Sequence, residues 1–297
     1  MRPVRSLQCL VVLTSLLSGA VWSPAASTTE TFSPEDLREF SQQAKLPTGQ
    51  VVHATVLGLQ KHAAAIQNVF DVALRDLSAV AAQFDAGNPK SDLARINAGA
   101  GKSPVTVAPT TMELLKMAQK ARRMTDGAFD ITSGGTALDI TINKHQRTVA
   151  FLKPEMEINV APVLDGFFAD RLMAMLWKAN IDNAMVEVGK ASRSVGSNIV
   201  GSWQKTVTDV AGRYAGQGMT ITFSNAATST VARKGTGPAK GVQSATVITD
   251  DAALADALAS ALSTMELEDG LRMANRLPHV HALVRDRGGR LHKSKGF

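Results

Sequence analysis

The stretch Thr125–Gly135, TDGAFDITSGG, constrains the chain most tightly, because it sets a helix stop, an apolar ring and a carboxylate within a few residues. Ahead of it, Met112, Leu114, Leu115, Ala118 and Ala121 recur at helical spacing, and Pro109-Thr110 with Glu113 reads as the capping box of that helix. Gly127 supplies the left-handed exit from its far end. Beyond it the chain must turn, bury Phe129 and present Asp130 at the head of an extended run. Such a corner suits a small ligand, and it equally suits a plain helix-to-strand turn with a solvated carboxylate.

Composition narrows the function classes. A chain of 297 residues with 44% hydrophobic content can bury a sizeable core in one large domain or two modest ones. Aromatic residues at 5%, with one Tyr, argue against a base-stacking nucleic-acid surface, which needs several exposed rings. The formal charge of +6 includes Arg2 and Arg5 of a leader, and the cations from Arg285 to Lys295 read as a solvated end rather than a DNA or membrane patch.

Residues 1–27 have the pattern of a secretory signal: Arg2 and Arg5, an apolar run from Leu7 to Leu17, then small residues at Ser18-Gly19-Ala20 and Ala25-Ala26-Ser27. Cys9, the only cysteine, stands inside the apolar run, so neither a lipid anchor nor a disulfide is expected. No later run is long enough to span a bilayer. The expected location is a bacterial periplasm.

In chain order, residues 28–48 read as a linker with a short helix after Ser33-Pro34, and residues 49–290 as the folded domain. Val51–Leu59 alternates as a strand, and Ile66–Phe84 carries an apolar helical stripe. Leu138–Asn143 with Thr148–Phe151 reads as a hairpin, Gly166–Lys178 as a helix, Ile181–Gly189 and Gln243–Thr249 as strands, and Ala252–Leu262 as a small-residue helix behind Asp250-Asp251. Strands interleaved with amphipathic helices imply an α+β sandwich of sheet and helices. The tail, 291–297, is expected to fray.

DGAFDIT followed by glycine resembles the signature of the FAD:protein FMN transferases, the ApbE family, whose T-fold-like architecture fits that reading. Further segments agree in order from about Val51 to Asp286. Ser91–Asn97 is similar to the family's D-S-x-[IL]-x-R-[LI]-N. Met156–Arg171 is similar to its I-D-L-x-x-[IV]-[AG]-[KE]-G-Y-A-x-D, with Gly166, an aromatic at 167, Asp170 and Arg171 in agreement, Asn159 in place of Asp and Asp165 in place of Lys or Glu. Where the family has Met-Gly-Thr, this chain has His53-Ala54-Thr55; Phe84 stands at the aromatic position. The family's V-N-x-G-G-D becomes Val188-Gly189-Lys190-Ala191, with Lys190 either obstructing a ligand or setting a cation beside it. Its A-[VT]-x-T-S-G is matched by Ala226–Thr230. Its H-[IL]-x-D-P-x-T-G excursion is shortened to residues 231–237, and the motif histidine is absent.

Asp256 and Ser260 lie four apart, hence on one helical face, within a segment similar to the family's A-D-A-L-A-T-A-L. The resemblance implies that they hold Mg2+, a hard cation that takes few protein oxygens and completes its shell with phosphate and water. It also sets His53, Ala128, Phe129, Asp130, Asn159 and Asp165 at FAD, with Phe84 at the isoalloxazine edge. A histidine on a strand is, however, more often structural than a ligand. The implied reaction is attack by a Thr or Ser hydroxyl of an acceptor flavoprotein on the FMN-side phosphorus of FAD, with AMP leaving. No general base is identifiable. A catalytically inactive protein binding FAD or a partner, and an exported scaffold without a flavin site, stay open beside it.

Overall fold

The strand β2 (Val51–Leu59) buries Val52, Ala54 and Val56 and exposes Val51 and His53, so one face of its pleat is committed to a core. β1 (Leu37–Lys45) pairs with it antiparallel along its full length. The second half of the expected linker is therefore sheet. With apolar groups only at Leu37, Phe40 and Ala44, LREFSQQAK gives little period-2 signal, and a polar sequence is what an edge strand tolerates. This is a computed structural model, describing residues 36–136, 139–208, 218–232 and 241–297. The signal-like leader, Leu138 and the Thr-Gly at 236–237 lie outside the described residues.

The sheet continues through β3 (Ala184–Val188), β4 (Ala191–Val195), β5 (Ala227–Ala232), β6 (Val242–Thr249), β7 (His281–Asp286) and β8 (Leu291–Lys293). These eight strands lie side by side in sequence order, each antiparallel to its neighbours. Part of the tail expected to fray is paired. β8 pairs with β7, and Ser294 locks it by donating its N–H to the Ala282 carbonyl (2.9 Å) and accepting the Ala282 N–H on its hydroxyl (2.8 Å).

The excursion from β2 to β3 carries α1 (Ala63–Ala81), α2 (Asp92–Ala98), α3 (Pro109–Met124) and α4 (Ala161–Lys178), while α5 (Ala252–Leu262) and α6 (Leu267–Arg276) join β6 to β7. α4 buries Phe167, Phe168, Leu172, Met173 and Leu176 in the same cluster as the inward residues of β2 and β3. On the opposite face of β3, Met185 packs with Trp203, Ile221 and Phe223 of a hairpin, Trp203–Thr208 with Gly218–Phe223. Helices thus cover one face of the sheet and a hairpin part of the other, giving an α+β fold. The hairpin expected of Leu138–Asn143 with Thr148–Phe151 forms over Ile140–Asn143 and Thr148–Phe151, joined by Val105–Thr106. No helix among the described residues is long and apolar enough to cross a membrane.

The capping box expected at Thr110 and Glu113 does not form. α3 starts at Pro109 behind Ala108, which has no capping side chain. Buried Asp92 of α2 does the work instead, accepting the Ala108 N–H (2.6 Å) and the Thr111 hydroxyl (2.7 Å). At the other end the left-handed exit is shared by Asp126 (φ 51°) and Gly127 (φ 85°), with the Gly127 N–H returning to the Arg122 carbonyl at 2.9 Å.

Candidate active site

The Asp130 corner is built by its own neighbours. The Asp130 carboxylate accepts from Arg122 Nε (2.8 Å), the Thr132 N–H (2.9 Å) and the Thr132 hydroxyl (2.7 Å). Burial pushes this carboxyl up, but the bonds from Thr132 and Arg122 outweigh it and hold the group below its ordinary range. Phe129 is buried in the core, its N–H held by the Thr125 hydroxyl (3.0 Å), and Ala128 is exposed.

The corner is tied to the start of α4. Thr132–Ser133 pairs with Glu157–Ile158, and the Asn159 N–H donates to the Ile131 carbonyl at 2.7 Å. Asn97 at the end of α2 grips the same segment like another strand, its amide donating to the Ile158 carbonyl (3.1 Å) and accepting the Ile158 N–H (2.9 Å). Exposed Asn159 accepts the Ala161 N–H on its side chain (3.0 Å), forming a turn into α4. Two of the expected flavin elements, Ala128–Asp130 and Asn159, are thereby brought together.

Further along α4, Asp165 and Gly166 meet α5 and the β3–β4 turn. Gly166 is required by contact: a Cβ there would stand 2.0 Å from the Ala252 carbonyl oxygen. Its N–H donates to Asp256 Oδ2 (3.2 Å), while Ser229 of β5 donates to Asp256 Oδ1 (3.0 Å). Into this space the Gly189-Lys190 turn sends the Lys190 ammonium, 3.0 Å from Asp256 Oδ1, 3.3 Å from its Oδ2, and 3.3 Å from Asp165 Oδ2. Asp256 is fully buried, and burial pushes its carboxyl up to about 6 against the pull of Lys190. Burial lowers Lys190, but the two carboxylates overcome it and keep the ammonium charged above its ordinary 10.5.

Ser260 points the same way as Asp256, its hydroxyl donating to the Pro162 carbonyl in the first turn of α4 (3.1 Å). The pair therefore faces the N-terminal half of α4, which follows the Asn159 turn. As folded, the pair does not fit a divalent ion. A carboxylate offers about four lone pairs, and those of Asp256 are taken by Ser229, Gly166 and two approaches of Lys190. The described residues contain no cluster of three or more His, Cys, Asp or Glu able to hold a metal.

The other expected positions stand apart. Phe84, expected at the isoalloxazine edge, is 3% exposed and packs edge-on to Phe167 (5.8 Å) and against Phe168 (6.1 Å) within the core. His53, 47% exposed on β2, lies 3.5 Å from Glu187, which also pairs with Lys205. Asp170 serves α5 rather than its own helix, accepting the Ala252 and Ala253 N–H groups (2.9 Å each) and pairing with Arg193. A shallow cavity of about 300 Å3 lies beside it, with Glu113, Phe167, Arg193 and Asp251 in its wall and none of the expected flavin or metal residues. Ser229 was invisible as a partner of Asp256, because only the meeting of β5 with α5 joins them. The departure at Lys190 was the one sequence signal for a cation here.

An antiparallel meander with helices over one face, and a charged cluster where two of those helices cross, defines an α+β protein with a candidate anion-binding corner. The sequence matches the ApbE family over residues 48–138 and 135–284. The chain belongs to that family. An FAD:protein FMN transferase of Haemophilus influenzae is 23% identical over 161 residues, 43% of this chain and 46% of that protein, so the match spans about half the length of that relative. Among solved structures, the fold resembles the flavin transferase ApbE from Vibrio cholerae (TM-score 0.75, 20% identity, 88% of this chain and 98% of that one). It also resembles the ApbE protein from Thermotoga maritima (TM-score 0.73, 21% identity, 87% and 97%) and the flavinyl transferase ApbE from Pseudomonas stutzeri (0.71, 16%, 87% and 95%).

Proposed function

We propose that this chain is an FAD:protein FMN transferase acting on a Thr or Ser hydroxyl of an envelope flavoprotein. The hydroxyl oxygen forms a bond to the FMN-side phosphorus, the bridging P–O bond breaks, AMP departs with that oxygen, and the hydroxyl proton is released. Such a reaction depends on positioning and on offsetting charge at the diphosphate. The observation that carries the reading is the Lys190 ammonium, held by Asp165 of α4 and Asp256 of α5, with Asp165 shortly after the corner where Asn159 meets the Asp130 segment. Asn159 and the exposed backbone at Ala128 are the groups to contact the nucleotide, and Asp165 and Asp256 orient the cation.

A second reading, FAD or partner binding without turnover, draws support from buried Ala191, which stands where the family pattern has an acid. One experiment separates them. The chain is incubated with FAD and a flavoprotein domain carrying an acceptor Thr, with and without Mg2+, and the acceptor is weighed intact. A mass gain of one FMN with matching release of AMP supports transfer; FAD binding with no gain supports the second reading, and no FAD binding removes both. The signal-like residues 1–27 support an exported, periplasmic site of action, to be checked by fractionation.

A further inference from the structure

We propose that the Lys190 ammonium is the resident cation of this corner, standing where a divalent ion would sit, so that the chain engages a dinucleotide diphosphate without a metal. The diphosphate half of this inference rests on the transferase reading; the cation half rests on geometry alone. Lys190 is pinned through its backbone before its side chain extends. Gly189-Lys190 forms the two-residue turn between β3 and β4, flanked by the Val188–Ala191 pair. The Lys190 N–H donates to Asp165 Oδ2 (3.2 Å), and its carbonyl accepts the Thr230 N–H of β5 (3.3 Å). Gly189 takes φ 52°, a left-handed conformation that favours glycine, and a Cβ on it would stand 2.3 Å from Asp165 Oδ2, so a larger residue would require that carboxylate to shift.

The Lys190 ammonium sits between the two carboxylates, filling the acceptor positions of Asp256 that Ser229 and Gly166 leave free. A divalent ion would have to evict it and would then face its charge at short range. With 29% of the side chain exposed, part of Lys190 faces outward, and an incoming phosphate oxygen can take over one of the three N–H donors now directed at the two carboxylates. Asp165 belongs to the same device: together with Asp256 its carboxylate holds the lysine at this position.

The test is a titration of the chain with Mn2+, free ion being counted by electron paramagnetic resonance. Wild type is expected to show no stoichiometric site, whereas Lys190→Met leaves two carboxylates without a counter-charge and gains one Mn2+ per chain, bound at least about tenfold more tightly than any wild-type binding. Adding Asp256→Asn to that variant abolishes the gain. A wild-type Mn2+ site that Asp256→Asn removes would overturn the proposal, and so would a folded Lys190→Met protein that binds no Mn2+. Independently of that variant, FAD affinity of wild type measured by flavin fluorescence is expected to be the same in EDTA as in Mg2+; a loss of about tenfold or more in EDTA contradicts the proposal. Absence of FAD binding in both conditions defeats the transferase reading and leaves the Mn2+ result to judge the cation.

Discussion

Gly166→Ala probes the contact that makes the site. The added methyl carbon would lie 2.0 Å from the Ala252 carbonyl oxygen, 2.4 Å from its carbon and 2.7 Å from Ala253 Cα, all backbone of α5. None is the tip of a flexible side chain, so α4 and α5 must separate by about 1 Å or more to restore ordinary contact. Overpacking of a tight core costs about 1–3 kcal/mol, and separation also weakens the Gly166 N–H bond to buried Asp256, worth about 1.5–3 kcal/mol to a charged group. A loss of about 3–5 kcal/mol is expected, or roughly 6–20 °C in Tm for a domain of this size. Thermal unfolding followed by circular dichroism reads it directly. Gly87→Ala is the control, because a Cβ there meets nothing nearer than the Asp85 carboxylate at 3.3 Å. If Gly166→Ala melts within about 1 °C of wild type, the close crossing of α4 and α5 is refuted, and with it the placement of Asp165 beside Asp256.

Three further outcomes follow from particular contacts. Asn97→Ala leaves the Ile158 N–H and carbonyl without their partners and is expected to cost about 1–3 kcal/mol in urea unfolding; an unchanged midpoint would show that the Asn97 clamp does not hold the segment before α4. Phe84→Ala empties a buried aromatic cluster and should cost about 3–5 kcal/mol, whereas the FAD affinity of the protein that remains folded stays unchanged; a selective loss of flavin binding at full stability would return Phe84 to the ligand. Asp130 has its folded pKa below its ordinary 3.8, so the stability it contributes is complete above that value and is lost as pH falls through the lower folded value. Asp130→Asn is therefore expected to lower Tm near neutrality, with the gap closing in acid; a gap that widens in acid would reverse the assigned sign.

The elements of strong local pattern were legible in the chain. β2 and the α5 segment announce their periods, and the Asp251 cap and the corner at Asp126-Gly127 rest on neighbours in sequence. β1 and β8 were not legible, because edge strands need only one bonded side and carry polar residues without penalty. The capping of α3 by Asp92 and the grip of Asn97 on Ile158 were hidden for another reason: each joins segments distant in the chain, and the Ser91–Asn97 motif gives no hint that its acid and amide serve other elements. The same holds for Asp256. Its place on a helical face can be read from spacing, but that Ser229, Gly166 and Lys190 converge on it depends on how β5, α4 and the β3–β4 turn pack.

A crystal structure of the chain soaked with FAD in metal-free buffer, and again with Mn2+, tests the central claim most directly, since anomalous scattering locates the metal. The expected result is the diphosphate against the Lys190 ammonium at the first turns of α4, with no anomalous peak within coordinating distance of Asp256. A manganese ion bonded to Asp256 and Ser260 with Lys190 turned away would contradict it, as would a diphosphate bound elsewhere on the protein.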